Sequence, residues 1–183
     1  LPIFMYEAYA PGSVAMLIEC LTDNRNRAVS DVRVAVTRNG ATMADGGSVQ
    51  RLFERKGVVT VSKTFEVTEG RKTTTHEVDE DQLMEATLEA EPEDIVDLGE
   101  AFEIICDPNA IVDVRKAIQA ADIDYDSAEV EFRAGFAQPV ELEDARKIAK
   151  ITELLEDLDD VQNVYTNADI TPELAAALEE DED

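Results

Sequence analysis

The stretch VAMLIECL, from Val14 to Leu21, is apolar almost throughout. It is far shorter than the roughly 20 residues a membrane span needs, and reads as a strand buried on both faces. Thr22, Asp23 and Asn24 interrupt it with residues that favour turns and helix caps. A helical pattern follows. Val29, Val32 and Val36 recur at helical spacing with Ala28 and Ala35 beside them, and Asn39-Gly40 supplies a C-terminal stop. At 100° per residue Arg27, Asp31 and Arg38 fall opposite the valine stripe. A buried strand therefore delivers a helix whose outer face is cationic. Val34 lies near that polar face, where an exposed valine is either harmless or the mark of a contact patch.

Around this strand and helix the chain reads as α+β. Tyr6-Glu7-Ala8-Tyr9 alternates weakly before a Pro11-Gly12 turn, and Gly40 to Gly47 is a loop, sharpest at Asp45-Gly46-Gly47. Val49 to Arg55 and Val58 to Phe65 read as a hairpin around Lys56-Gly57, with Thr68 to His76 a polar connection. Asp79-Glu80-Asp81 then opens a helix whose expected buried side is Leu83, Met84, Thr87 and Leu88. A hairpin around Gly99-Glu100 follows. The next helix carries Ile111, Val114, Ala117, Ile118 and Ala121, and an alternating strand runs from Ala128 to Arg133. Helix, hairpin, helix and strand make a small sandwich of the ferredoxin-like kind.

From Glu141 to Leu158 a long amphipathic helix carries Leu142, Ala145, Ile148, Ala149, Thr152 and Leu155, and a short strand follows at Val161 to Tyr165. Alone this pair could bury little, and the first unit lacks a second helix behind its sheet. Residues 137–170 are therefore expected to return and complete the first unit. The expected architecture is two ferredoxin-like α/β sandwich domains, 1–66 plus 137–183 and an acidic domain at 67–136 inserted between them. After Thr171-Pro172 an alanine-rich helix is expected to fade into a like-charged tail, Glu179 to Asp183, within an acidic terminus that starts at about residue 173.

The formal net charge is −26, which opposes nucleic-acid binding by the chain as a uniform object, because phosphate contacts draw on Lys and Arg. Its distribution is uneven. Residues 1–66 hold 8 Lys+Arg against 7 Asp+Glu, whereas 67–136 hold 5 against 20 and 137–183 hold 3 against 15. Arg25, Arg27 and Arg38 on the first helix, with Arg51, Arg55 and Lys56 from the expected hairpin, form the best candidate set for tracking phosphates. A solubilising surface paired with Asp31 and Glu54 explains the same residues, and both readings stay open. Arg33, nearer the buried stripe, is expected in a structural ion pair.

No catalytic constellation is evident, and no enzyme, metal or cofactor is expected. His76 is the one histidine, in a polar loop and expected as a solvated surface residue: a zinc site needs several such ligands, and Ser-His or Cys-His chemistry would need it as the base, while the cysteines lie in strands. Asp122, Asp124 and Asp126 have oxygen-ligand spacing without the glycine and terminal glutamate of a calcium loop. Asp45-Gly46-Gly47-Ser48 and Pro11-Gly12-Ser13 could present backbone amides to a phosphate, but no GKS or GKT follows either. Cys20 and Cys106 sit in apolar runs without CxxC spacing, as buried thiols in a reducing, cytoplasmic setting would. No signal peptide or membrane span is expected.

Several blocks, in order, carry a family resemblance: YEAYAPGSVA, LIECLTDNRNR, DGGSV, LFERKG and DLDDVQNVYTNADI, together from about Tyr6 to Ile170. The sequence resembles the YebC/PmpR family, which includes bacterial proteins described as transcriptional regulators and the mitochondrial translational activator of cytochrome c oxidase. The resemblance implies the same interleaved two-domain architecture and a non-enzymatic, DNA-binding regulator of gene expression. It also implies a basic, helical N-terminal domain opening on a HSKW-type motif. Such a segment is missing ahead of Leu1, so upstream residues are expected to have been lost. DNA or ribosomal RNA would be met mainly through that domain. A ribosome-associated translation factor is the alternative role, and an acidic module binding basic protein partners is a second alternative.

Overall fold

The structure, a computed structural model, describes residues 1–181. In chain order its elements are β1 (Ile3–Ala10), β2 (Val14–Leu21), α1 (Arg25–Thr37), β3 (Thr42–Met43), β4 (Phe53–Ser62), β5 (Thr64–Glu69), β6 (Lys72–Glu77), α2 (Glu80–Thr87), β7 (Asp94–Asp97), β8 (Ala101–Cys106), α3 (Ile111–Ala120), β9 (Ser127–Ala134), β10 (Gln138–Pro139), α4 (Leu142–Glu156), β11 (Val161–Thr166), β12 (Ala168–Asp169) and α5 (Pro172–Glu180). Short 3₁₀ turns occupy Gln50–Leu52, Leu88–Ala90 and Pro108–Ala110. The chain divides into two compact units. Unit 1 is Leu1–Glu54 together with the chain from Arg133 onward, and unit 2 is Arg55–Phe132.

Unit 1 is a sheet of order β11-β2-β1-β3 under α1 and α4. β2 is central, antiparallel to β1 and β11, which explains its apolar run. Val14, Met16, Ile18 and Cys20 pack against Val32, Val36, Ile148, Ile151 and Leu155, while Ala15 and Leu17, on the opposite face, are also buried. Asn24 caps α1 by accepting the Arg27 N–H at 3.1 Å, and Gly40 ends the helix region at φ +87, where a side chain would be strained. On α4 the fully buried Ile151 completes the stripe, whereas Ala149 is exposed.

Two buried polar side chains tie the returning segment and the loops to this sheet. Asn167 accepts the Ala15 N–H at 2.9 Å, and its own carbonyl accepts from Gln138 N–H at 2.6 Å. Glu7, only 6% exposed, lies on the sheet face away from the helices, because its neighbour Ala8 packs into the helix-side core.

Unit 2 runs β4-α2-β7-β8-α3-β9 with sheet order β7-β8-β4-β9, the ferredoxin-like arrangement, plus a β5–β6 hairpin inserted before α2. Here the structure corrects two sequence expectations. Phe53–Ser62 is one continuous strand rather than a hairpin bending at Lys56-Gly57. Gly57 serves close approach instead of a turn: a Cβ there would lie 2.8 Å from Cys106 Sγ and 3.0 Å from Ile111 Cβ. The division therefore falls near residues 54 and 132, against expected limits of 66 and 136. Thr68 to His76, expected as a connection, forms most of the β5–β6 hairpin around Gly70 (φ +64), with His76 stacked on Phe65 at 5.3 Å.

The core of unit 2 gathers Val59, Val61, Leu83, Phe102, Ile104, Val114 and Ile118. A capping box of Asp79 with Gln82 starts α2. Met84 and Leu88, expected on its buried side, are instead 54% and 73% exposed. Leu83 and Thr87, both fully buried, form the packed face, and at 100° per residue Met84 and Leu88 fall about 80° and 120° round the helix from it. At the C-terminus α5 continues through Glu180, and Arg146 Nε meets Asp181 Oδ2 at 2.6 Å. The remaining residues of the expected tail, Glu182 and Asp183, lie outside the described residues.

Candidate nucleic-acid interface

The six candidate cations belong to both units: Arg25, Arg27, Arg38 and Arg51 to unit 1, and Arg55 and Lys56 to unit 2. They differ in how their charge is used. Arg27 is committed within the fold. Its Nε and Nη2 reach Asp160 Oδ2 and Oδ1 at 3.0 and 2.9 Å, and Nη2 also meets Asp23 at 3.1 Å. This two-pronged geometry suits a guanidinium. Hydrogen bonds from Arg27 hold the Asp160 carboxyl below the ordinary carboxylate range, and the same contact raises the Arg27 pKa further. The Asp160 carbonyl also accepts the Leu21 N–H at 2.8 Å, so the pair joins the end of β2, the start of α1 and the turn before β11. Lys56 is likewise engaged, its Nζ 2.7 and 3.0 Å from the Glu93 carboxylate oxygens.

The other four are exposed and make no salt bridge among the described residues. Arg25 stands over the Phe4 ring at 5.2 Å, which fixes its position while leaving its charge uncancelled. Arg38 follows α1 directly, Arg51 lies in the 3₁₀ turn, and Arg55 is on β4. Arg33 is exposed and forms no ion pair among the described residues, contrary to expectation, because its helix position turns it away from the stripe of Ala28, Val32 and Val36.

Two further cations accompany Arg38 in unit 1. Lys147 and Lys150 of α4, with Pro11, Asn39 and Gly40, line an open recess of about 460 Å³. Asn39 also borders an adjoining groove of about 340 Å³ that contains Arg38, Val34 and Leu154. Lys147 has only a long 3.9 Å contact with Glu143, four residues earlier on the exposed helix surface. This lysine pair is not among the candidates drawn from the sequence. The i, i+3 spacing of 147 and 150, on the exposed flank beside the stripe of Ile148 and Ile151, is the signal that could have found it.

The glycine loop at 45–48 is not free to bind an anion. Its amides already hold one: Glu7 accepts from Gly47 N–H at 2.6 Å, Val49 N–H at 2.8 Å and Gln50 N–H at 2.6 Å. The turn at Pro11-Gly12-Ser13 has positive φ at both Gly12 and Ser13, and a Cβ on Gly12 would meet Asp144 Oδ2 at 3.1 Å. A carboxylate so close opposes a phosphate there. Cys20 and Cys106 are fully buried free thiols. Burial, aided by Asp160 and Glu19, pushes Cys20 up to about 11, and burial with Asp107 and Glu93 raises Cys106. Among the described residues no group of three or more His, Cys, Asp or Glu side chains is placed to hold a metal ion. No described helix is long and apolar enough to cross a membrane.

Fold and surface thus define an α+β protein of two units, one inserted into the other, with a group of uncancelled cations along α1 and α4 of unit 1. The chain belongs to the TACO1/YebC family: residues 2–168 match the family model described as the TACO1/YebC second and third domain. A probable transcriptional regulatory protein of Cutibacterium acnes is 77% identical over 178 residues, covering 97% of this chain and 67% of that protein. A probable transcriptional regulatory protein of Mycobacterium tuberculosis is 54% identical over 177 residues, covering 97% and 66%. Among solved structures, a conserved hypothetical protein from Aquifex aeolicus superposes with a TM-score of 0.77 at 32% identity, over 92% of this chain and 65% of that one. The chain therefore spans about two thirds of the length of the curated relatives it matches.

Proposed function

We propose that this chain is the two-unit part of a regulator of gene expression that acts without catalysis. In this proposal it meets a nucleic-acid backbone through the lysine–arginine surface of unit 1. The observation that carries the proposal is the set of uncancelled cations at Arg38, Lys150 and Arg25 in a chain of net charge −26. Arg25 and Arg38 stand at the two ends of α1, about 20 Å apart along its axis, a distance that spans several phosphates of a strand rather than neighbouring ones. The names of the relatives, probable transcriptional regulatory protein, favour DNA as the target. Arg27 is left out of the contact set, because Asp160 holds it.

The charge balance favours a second role, that of a ribosome-associated translation factor. Self-repulsion between −26 and free duplex weakens any unassisted DNA complex, whereas a ribosome offers basic proteins beside its RNA. Crosslinking with sequencing in cells tests both, comparing the tagged protein with a variant carrying Arg25→Glu, Arg38→Glu and Lys150→Glu. Crosslinks at discrete promoters, lost in the variant, support the DNA target; crosslinks on ribosomal RNA, lost in the variant, support the translational role. Crosslinks unchanged by the triple substitution refute the surface as a contact.

A further inference from the structure

Unit 2 exposes an apolar pair that its own core does not use. Met84 and Leu88 are 54% and 73% exposed, one helical turn apart on α2 and the 3₁₀ turn that extends it. With Ile95 of the edge strand β7 they line an open groove of about 470 Å³. Carboxylates rim this groove at Glu80, Glu91 and Asp94. A fourth, Glu93, already holds a cation, the Lys56 ammonium at 2.7 Å. Unit 2 as a whole carries 7 Lys+Arg against 21 Asp+Glu over residues 55–132.

We propose that this groove docks a lysine- or arginine-rich segment of a partner protein, anchored by one or two apolar side chains seated on Met84 and Leu88. Charge complementarity selects the occupant. A nucleic-acid backbone would place phosphates against the rim carboxylates, and a second copy of this chain would bring another −26 to the same surface. A cationic segment neutralises the rim as its anchors cover the apolar floor, in the manner of an amphipathic segment in a groove. Glu93 with Lys56 shows the pairing in miniature. The proposal is independent of which nucleic acid unit 1 meets, since the residues are separate.

The test uses the chain with a labelled synthetic peptide of about twelve residues, mostly Lys and Arg with two leucines four positions apart, followed by fluorescence anisotropy at several salt concentrations. Met84→Ser with Leu88→Ser removes the floor without altering charge, and both side chains are exposed enough for the fold to survive. Affinity is expected to drop about tenfold or more, and a similar drop is expected when the peptide leucines become serines. Glu80→Gln with Glu91→Gln should weaken binding and flatten its salt dependence. Glu129→Gln, an exposed carboxylate on β9 at the opposite sheet edge, should leave it unchanged. Equal losses with Glu129→Gln would mean nonspecific attraction to an acidic surface and would overturn the proposal. So would binding indifferent to the serine pair, or sedimentation showing that the chain self-associates through Met84 and Leu88.

Discussion

The sharpest stability prediction concerns Glu7, a carboxylate in the middle of a strand. It accepts three backbone N–H groups from the 47–50 loop at 2.6 to 2.8 Å and is only 6% exposed. Replacing it by alanine has unequal consequences for the three donors. Gly47 and Gln50 are exposed, so water can take over their amides, whereas Val49 is fully buried and its N–H would be left without a partner. An unsatisfied buried donor costs about 1–3 kcal/mol, and each lost bond to a charged acceptor is worth somewhat more than the water bond that replaces it. Desolvating the native carboxylate costs something too, and alanine recovers that. The net loss for Glu7→Ala is therefore roughly 3 kcal/mol, a melting shift of about 6–12 °C for a chain of this size. Glu7→Gln keeps the shape and one acceptor oxygen and should fall between the two. Because the chain has two units, a local probe is needed beside the melting curve. Amide exchange at Val49 and Gln50 should accelerate in Glu7→Ala far more than exchange in the unit 2 strands. A melting point within a degree or two of the parent, with Val49 still protected, would refute the claim that Glu7 holds this loop.

Two other perturbations follow from the same kind of contact. Asp160→Asn should destabilise unit 1 at neutral pH, since a folded-state pKa below the ordinary 3.8 means the Arg27 contact favours the ionised form. That contribution is fully present above the unfolded value and is lost as pH falls through the lower folded one, so parent and variant should converge in acid; a gap persisting there in denaturant titrations would refute the linkage. Gly57→Ala should cost unit 2 about 1–3 kcal/mol by overpacking against Cys106 and Ile111. Adding Cys106→Ala should recover part of that loss, and strict additivity in the double-mutant cycle would show that the two side chains do not compete for the space.

How far the fold could be read in advance depended on the range of the interaction. β2, α1 and its cap, the β7–β8 hairpin, α3 and α4 are set by periodicity and local turn chemistry within a dozen residues, and they lie where the sequence places them. The return of the last segment to unit 1 could be inferred because an isolated helix and strand cannot bury enough surface. β4 was misread for a physical reason: Lys56-Gly57 has the composition of a turn, and only the approach of Cys106, 49 positions later, shows that the glycine makes room inside a strand. Met84 and Leu88 show the opposite failure. Helical periodicity marks both as apolar-side, but only the direction of Leu83 and Thr87 is packed, and which part of a broad apolar arc faces the sheet is set by the tertiary fold.

The same distinction bears on what the family resemblance encodes. The blocks that carry it contain the long-range polar ties: Glu7 in YEAYAPGSVA, Thr22, Asn24 and Arg27 in LIECLTDNRNR, Asp160 and Asn167 in DLDDVQNVYTNADI. Each bonds a partner that is either a local cap or a residue tens of positions away. Arg27 reaches Asp160 across 133 positions and Ala15 reaches Asn167 across 152. A motif rich in Arg and Asn looks from sequence like a binding surface, yet its most engaged arginine is consumed by the fold. Among the cations with no part in these ties are Arg25, Arg38, Lys147 and Lys150, and the last three border the junction of α1 and α4. Charge-reversing Arg27 would therefore confuse two effects, weakened folding and weakened binding, whereas reversing Arg38 and Lys150 isolates the second. An experiment that spares Arg27 is the one able to separate what this sequence needs to fold from what it needs to act.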